Sequence, residues 1–134
     1  MAKRIIISFI SQPTLGAAFS YYIAINNVKI VYNSGVDTID LSYATTIIKP
    51  QQLILQPTLE ENISNTLFAL TTSFQSDSVI YTREGNTIIV LASADNSTIE
   101  LLNGVNSGIT IAVEDVPVET LGLKYYLDYI NIVG

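Results

Sequence analysis

Carboxylates are the side chains through which this sequence could do chemistry. The densest cluster is Glu114, Asp115 and Glu119. Calcium takes six to eight oxygen ligands, so such a cluster could contribute to a calcium site. Its spacing, however, matches no calcium-binding loop, and we favour a solvated turn. Asp95-Asn96-Ser97 also offers oxygen ligands, but turns use these residue types for their backbone chemistry alone.

A second carboxylate pair, Asp37 and Asp40, has the residue types of a glycosidase site. That chemistry needs the two groups about 5–9.5 Å apart within a cleft, which their spacing in the sequence does not establish. The chain contains no histidine and no cysteine. This excludes an imidazole base, a thiolate nucleophile and a zinc site with sulfur ligands. We therefore predict a protein that is not an enzyme, without a cofactor, a metal or a small-molecule substrate.

The composition describes a single β-rich domain spanning residues 1–134. Hydrophobic residues make up 49% of the chain and charged residues only 13%, about half the usual charged share of about 25%. Isoleucine, valine, threonine and tyrosine are abundant, and these residue types favour strands. A surface with so few charges is typical of a protein that covers part of itself with partners.

The charge pattern argues against two classes of partner. The net charge is −6, and apart from Lys3 and Arg4 the basic residues are scattered, so we expect no nucleic-acid partner. No segment approaches the roughly 20 apolar residues that a membrane helix needs, and we expect no membrane partner. The run Ile5–Ile10 after the basic start is short for a signal peptide. We favour a first strand over residues 3–10.

Apolar runs interrupted by turn residues predict antiparallel hairpins. One joins 19–25 to 28–32 through Asn26-Asn27, and another joins 79–83 to 87–92 through a turn that contains Gly85. Asparagine and glycine adopt the positive φ angles that short hairpin turns require. Residues 36–43 fit a short strand or an extended connection, and the runs 45–48 and 52–55 flank a bend at Lys49-Pro50-Gln51. Further strands are expected at 98–102 and 109–113, with a polar crossing segment at 114–119. Residues 121–133 fit a last strand, and their spacing also leaves a helix open.

One amphipathic helix is predicted at about residues 58–75. Thr58 and Glu61 form the Thr-x-x-Glu pattern of a capping box. Leu59, Ile63, Leu67, Leu70 and Phe74 recur at the spacing of one helix face. The fold class is therefore α+β and mostly β, with sandwich-like antiparallel sheets and this one helix.

Five tyrosines are candidates for an oligomer interface: Tyr21, Tyr22, Tyr125, Tyr126 and Tyr129. Interfaces are enriched in tyrosine because its ring buries a large area at low entropy cost and keeps a polar end. Each adjacent pair would place one ring on either side of a strand. A role in the core remains open for these residues, and sugar stacking is a weaker alternative because the chain lacks tryptophan.

The order of elements over residues 19–92 resembles small virion proteins of tailed bacteriophages, of the tail, neck and connector type. The resemblance rests on the hairpin 22–32, the capped helix 58–74 and the hairpin 79–90. It implies a ring-forming structural role and transfers no functional residue.

We therefore expect a homo-oligomeric subunit of a phage virion, whose partners are copies of itself and other virion proteins. The alternative is a carbohydrate- or surface-binding β-sandwich module of a fibre or adhesin.

Overall fold

The computed structural model describes residues 2–47, 51–102 and 107–116. These residues form nine strands and one helix, which follow one another as β1 (Ala2–Phe9), β2 (Ala18–Ile25), β3 (Val28–Lys29), β4 (Ile39–Ala44), β5 (Gln52–Ile54), α1 (Leu59–Ser73), β6 (Val79–Glu84), β7 (Thr87–Ala92), β8 (Ser97–Leu101) and β9 (Ile109–Val116). The fold is mostly β with one helix, and its two sheets are largely antiparallel and not closed. The predicted fold class is thereby confirmed.

The first sheet has the strand order β6-β7-β1-β9, and all of its pairings are antiparallel. The strand nearest the amino terminus therefore lies inside the sheet, between two strands from the second half of the chain. This position explains its apolar sequence, because both edges of β1 are paired and Ile5, Ile7 and Phe9 are buried. The alternate residues Ile6 and Ser8 lie on the opposite side of the sheet.

The second sheet is built around β2. One edge of β2 pairs with β8, and the other pairs first with β4 and then with β3. β5 joins the far side of β4 in a parallel pairing, with Ser42 opposite Gln52. The hairpins predicted from the sequence gave no indication of this parallel pair.

The two predicted hairpin turns have the expected backbone geometry. Asn26 and Asn27 have φ angles of 51° and 65°, the positive pair that a type I′ turn requires. In the second hairpin, Glu84 pairs with Thr87, and Gly85 has a φ of 59°. The returning strand of the first hairpin is shorter than predicted. Only Val28 and Lys29 belong to β3, although the Ile30 amide still donates to the Ile23 carbonyl at 2.9 Å.

The core lies between the two sheets and extends under the helix. It contains alternate residues of β1, β2, β4 and β7 together with one side of α1, and its largest fully buried side chains are Tyr21, Tyr43, Phe19, Ile5, Ile7, Ile23, Ile39, Leu41, Ile63, Leu70, Ile88 and Ile109. A single continuous cluster of this kind is what one hydrophobic core per domain produces.

The helix begins at its predicted cap and ends at Ser73, two residues before the predicted boundary. Thr58 has an extended backbone, and its side chain accepts a hydrogen bond from the Glu61 amide at 3.2 Å. Of the predicted apolar stripe, Ile63, Leu70 and Phe74 are buried, while Leu59 and Leu67 are half-buried against the core. α1 packs against β6 and β7.

An ion pair at the helix start joins α1 to β6. The Arg83 guanidinium donates to both carboxylate oxygens of Glu60, at 2.9 and 2.5 Å. These hydrogen bonds lower the pKa of Glu60 and raise that of Arg83.

Two buried polar residues of α1 were not predicted. Asn62 is fully buried, accepts from the Gln56 amide at 2.9 Å, and donates to the Gln56 and Thr58 carbonyls at 3.1 and 3.0 Å. Thr66 donates to the Asn62 carbonyl, so its hydroxyl oxygen accepts from the Tyr43 hydroxyl at 2.5 Å. These bonds fix the helix to the turn that precedes it and to β4.

The prediction of a polar crossing segment from Glu114 onward is wrong for its first three residues. β9 continues through Glu114 and Asp115 to Val116, which lies opposite Ala2. The strand continues because Arg4 and Lys3 on the neighbouring strand provide partners for the two carboxylates. The remainder of that segment, and the predicted last strand at 121–133, lie outside the described residues.

Candidate functional site

Tyr21, one of the predicted interface residues, is a core residue. It has no exposed surface, and its ring stacks on Phe19 at a centroid distance of 6.4 Å. Burial raises the pKa of Tyr21 well above its usual value, and the neighbouring Tyr81 and Tyr32 raise it further. The alternative role in the core, left open by the sequence, is the one that Tyr21 has. It cannot contact a partner while the domain is folded.

Tyr22 lies on the other side of β2, on the outer surface of the second sheet. Its hydroxyl donates to the Glu100 carboxylate on β8, a hydrogen bond that raises the pKa of Tyr22. The Lys29 ammonium lies 4.2 Å from the centre of its ring. The side chain is half-exposed, and contacts within its own sheet already fix its position. Tyr22 therefore lies at the surface with its hydroxyl bonded to Glu100 and one side of its ring against Lys29.

The other three predicted interface tyrosines, Tyr125, Tyr126 and Tyr129, lie outside the described residues. The tyrosines that are described offer little ring surface for sugar stacking: Tyr21, Tyr32 and Tyr43 are buried, Tyr81 is half-buried, and Lys29 covers the Tyr22 ring. The alternative of a carbohydrate-binding module requires exposed rings.

The described carboxylates among those with which the sequence analysis began fall into separate groups, and Glu119 lies outside the described residues. Glu114 and Asp115 form ion pairs with Arg4 and Lys3 across the strand pair β1–β9. Asp37 and Asp40 lie by a shallow surface depression of about 450 Å³. The Asp40 backbone amide there donates to the Gln51 side-chain oxygen at 2.6 Å. In the part of the chain that the structure describes, no three acidic side chains come together to hold a metal ion.

A groove lies between the end of α1, the loop after β3 and strand β6. Its volume is about 870 Å³. Asn33 holds its walls together by donating to the Thr72 carbonyl at 2.8 Å and accepting from the Gln75 amide at 3.0 Å. Hydroxyl and amide groups dominate its lining, and Asp77 is the one carboxylate that the described residues contribute to it. Such a lining can form hydrogen bonds to a partner but offers no acid–base pair.

The surface features best suited to binding are the edges and the exposed aliphatic side chains of the sheets. Among the described residues, β6 and β9 each have a strand on one side only. Large hydrophobic side chains are exposed at Ile10, Leu15, Val28, Val31, Ile47, Ile54, Phe68, Ile80, Leu101, Leu102 and Val113. Scattered exposed aliphatics are common, but several of these belong to edge strands, where they accompany unpaired backbone groups.

The sequence-based prediction of an interface named only tyrosines and did not include the aliphatic residues of these edges. A signal was present in the sequence: the runs 79–81 and 111–113 carry aliphatic or aromatic residues at successive positions, and therefore on both sides of a strand. The helix of the described chain is too short and too polar to cross a bilayer. No protein-family model, curated protein or solved structure matches this chain.

Proposed function

We propose that this protein is a non-enzymatic structural subunit of a phage virion, in a head–tail connector, neck ring or tail component, and that it acts by packing against copies of itself and other virion proteins. The observation that carries the proposal is the pair of open edges on the first sheet. Neither β6 nor β9 has a partner on its outer side among the described residues.

The strand directions suit pairing between copies. β6, β7, β1 and β9 alternate in direction, because each neighbouring pair is antiparallel. When two copies stand side by side in the same orientation, β9 of one therefore runs antiparallel to β6 of the next. A head-to-tail contact of this kind generates a ring if its rotation closes, and otherwise a helical array.

The side chains of these edges do little to prevent such pairing. Proteins usually protect an exposed edge with lysine, proline or an inward-pointing charge. On β9 the two charges lie at one end and are paired with β1, which leaves Ile111–Val113 free of charge. On β6 the charged residues Arg83 and Glu84 also lie at one end, beyond Ile80–Thr82.

Sedimentation velocity over a wide concentration range, followed by negative-stain microscopy of any large species, tests the proposal. We expect discrete oligomers or rings. Val113→Lys places a charge in the middle of the β9 edge and should weaken assembly at least tenfold. Val28→Lys, at an exposed residue of β3 in the other sheet, is the matched control. A strict monomer that binds glycans would instead favour the adhesin alternative.

A further inference from the structure

The first sheet has an apolar outer side in addition to its open edges. The strand registers place Ile80 beside Leu91, and Ile89 beside Ile6, which in turn lies beside Ala112. Residues that are paired across antiparallel strands project on the same side of a sheet. We call these five residues the outer apolar face. They form one contiguous patch that reaches across all four strands.

The outer apolar face is turned away from the core. None of its five residues belongs to the buried cluster or to the partly buried side chains that pack against that cluster. Ile80 is 50% exposed, Ala112 is exposed, and the other three residues are half-exposed in the middle of the sheet. The helix packs on the opposite side, where Arg83 meets Glu60. Within the described ranges, no element covers this patch.

The second sheet has a different outer side. On β2 the outward positions are Ala18, Ser20, Tyr22 and Ala24, which are small or polar except for the tyrosine. That tyrosine already has Glu100 and Lys29 as partners. Along β2, the outer side therefore has no row of large aliphatic side chains like the one on the first sheet.

Charge favours a second copy of this chain as the occupant. The chain carries a net charge of −6, so two copies repel each other over most of their surfaces. On the outer side of the first sheet, the strand charges are Arg4 and Glu114, which form an ion pair with each other, and Glu84 at the opposite end. The patch itself carries no charge, although Arg4 lies directly beside Leu91. It is the part of this sheet where two acidic copies meet with least repulsion.

The size of the sheet is sufficient for a dimer. Four strands about 4.8 Å apart, two of eight residues and two of six, at about 3.4 Å per residue, give a flat area of about 460 Å². Two such surfaces in contact bury about 900 Å² before side-chain relief is counted, close to the size of about 1,000 Å² that a specific interface needs. Corrugation by the side chains increases the buried area further. We infer that the outer apolar face packs against the same face of a second copy, as sheets do in a β-sandwich.

This inference rests on the proposed function and adds a face-to-face contact to the edge-to-edge contact of β6 and β9. A contact between identical faces is closed by a two-fold axis and ends with two copies. Edge pairing propagates from one copy to the next. An assembly that uses both would be a double layer of subunits, with the outer apolar faces buried between the layers.

Thr82→Glu tests the inference in the full chain together with the double variant described next, because Thr82 also lies on the open edge of β6, whereas Ile6 and Ile89 lie on strands inside the sheet. Thr82 is exposed on β6, beside Ile89 on the same side of the sheet, so the substitution places a charge on the outer apolar face of both copies. Thr98→Glu is the matched control, because Thr98 is exposed on the edge strand β8 and lies on the outer side of the second sheet, opposite Ala24. Sedimentation equilibrium should give a dimer dissociation constant at least tenfold higher for Thr82→Glu and within about twofold of the wild type for Thr98→Glu.

A second pair of variants distinguishes a weakened contact from a loss of dimer caused by misfolding. Ile6→Thr/Ile89→Thr keeps β-branched side chains in the strands and removes the centre of the patch, and Ile10→Thr/Ile47→Thr makes the same change at two exposed isoleucines elsewhere. Circular dichroism confirms that each variant is folded. We expect only the first double variant to lose the dimer.

Three results would overturn the inference. Dimers that persist unchanged in both Thr82→Glu and Ile6→Thr/Ile89→Thr would exclude this face while leaving edge-based assembly, and the proposed function, intact. A wild type that is monomeric at all concentrations would contradict both. A monomer that Thr82→Glu destabilises more than Thr98→Glu does would show that the same chain covers the face.

Discussion

Asn62→Asp replaces an amide by a carboxyl of the same size at the buried start of α1. The Asn62 amide group donates to the carbonyls of Gln56 and Thr58 and accepts from the Gln56 amide. A carboxylate can still accept from that amide but donates nothing. Its second oxygen would face two carbonyl oxygens at about 3 Å, in a place with no exposure to water.

We expect this substitution to lower the free energy of unfolding by about 3–5 kcal/mol at pH 7. Two hydrogen bonds worth about 1 kcal/mol each are lost, and a buried charge without a positive partner adds the larger part of the penalty. With a urea slope of about 2 kcal/mol per molar, the midpoint of unfolding should fall by about 2 M. An error in the assigned bonds would show as a much smaller shift.

The penalty should depend on pH with a definite sign. Burial beside two carbonyl oxygens disfavours the ionised carboxyl, so the pKa of the new group is raised above its unfolded value of about 3.9. A penalty of about 3 kcal/mol for ionisation corresponds to about 2 pKa units, which places the folded-state pKa near about 6. The stability lost relative to the wild type is therefore limited below pH 4 to about 1–2 kcal/mol from the lost hydrogen bonds, and it reaches its full size as the pH rises through about 6.

Urea titrations of wild type and variant at pH 3.5, 5 and 7, followed by circular dichroism, measure this difference. Asn65→Asp is the matched control, because Asn65 is half-buried on the same helix and the substitution adds the same charge three residues away. We expect it to cost less than about 0.5 kcal/mol at every pH, as surface substitutions usually do. Equal losses for the two variants at pH 7, or a loss for Asn62→Asp that does not change with pH, would refute the reasoning.

Three further predictions concern the core and one tight turn. Tyr43→Phe should lower the free energy of unfolding by about 1 kcal/mol because it removes the hydrogen bond to Thr66. Tyr32→Phe should be neutral or stabilising because the buried Tyr32 hydroxyl has no hydrogen-bond partner among the described residues. Equilibrium unfolding of the two variants measures the difference. Gly108→Ala should destabilise by about 2 kcal/mol or more and Gly35→Ala by about 1 kcal/mol. Both glycines have φ near +85°, but only at Gly108 would the new methyl group lie 2.9 Å from a backbone oxygen, and thermal melts of the two variants give the difference. Burial raises the pKa of Tyr43 to about 12, so the free energy of unfolding should fall as the pH rises from about 10 towards 12. The 295 nm absorbance of ionised tyrosine should increase together with unfolding. Ionisation of all tyrosines at pH 10 in the folded state would contradict the burial of Tyr43.

The elements that the sequence predicted well are those whose cause lies within a few residues. Asn26-Asn27 adopts the positive φ angles of a hairpin turn, and Thr58 caps a helix whose apolar residues recur at helical spacing. Both features depend on local sterics and on hydrogen bonds that a side chain forms with its own backbone neighbours. The continuation of β9 through Glu114 and Asp115 was missed because it depends on partners at the other end of the chain.

The tyrosines show the same limit for the prediction of functional residues. Tyr21 and Tyr22 are adjacent and chemically identical, and the alternation of a strand guarantees that they lie on opposite sides of it. The sequence does not specify which side meets the core. That choice is made by the first sheet and the helix, which close over Tyr21 and leave Tyr22 at the surface.

By itself, the sequence determined that this chain is a β-rich domain with one capped helix and with few groups capable of chemistry, since residue types and short-range periodicity are enough to establish each of these. Only the tertiary structure decided which strands have open edges, that the first strand lies between β7 and β9, and that Ile6 and Ile89 share a surface turned away from the core. The physical reason is that pairing partners and exposure are relations between segments that are distant in the chain. They are fixed by the burial of the whole core, and local preference does not encode them.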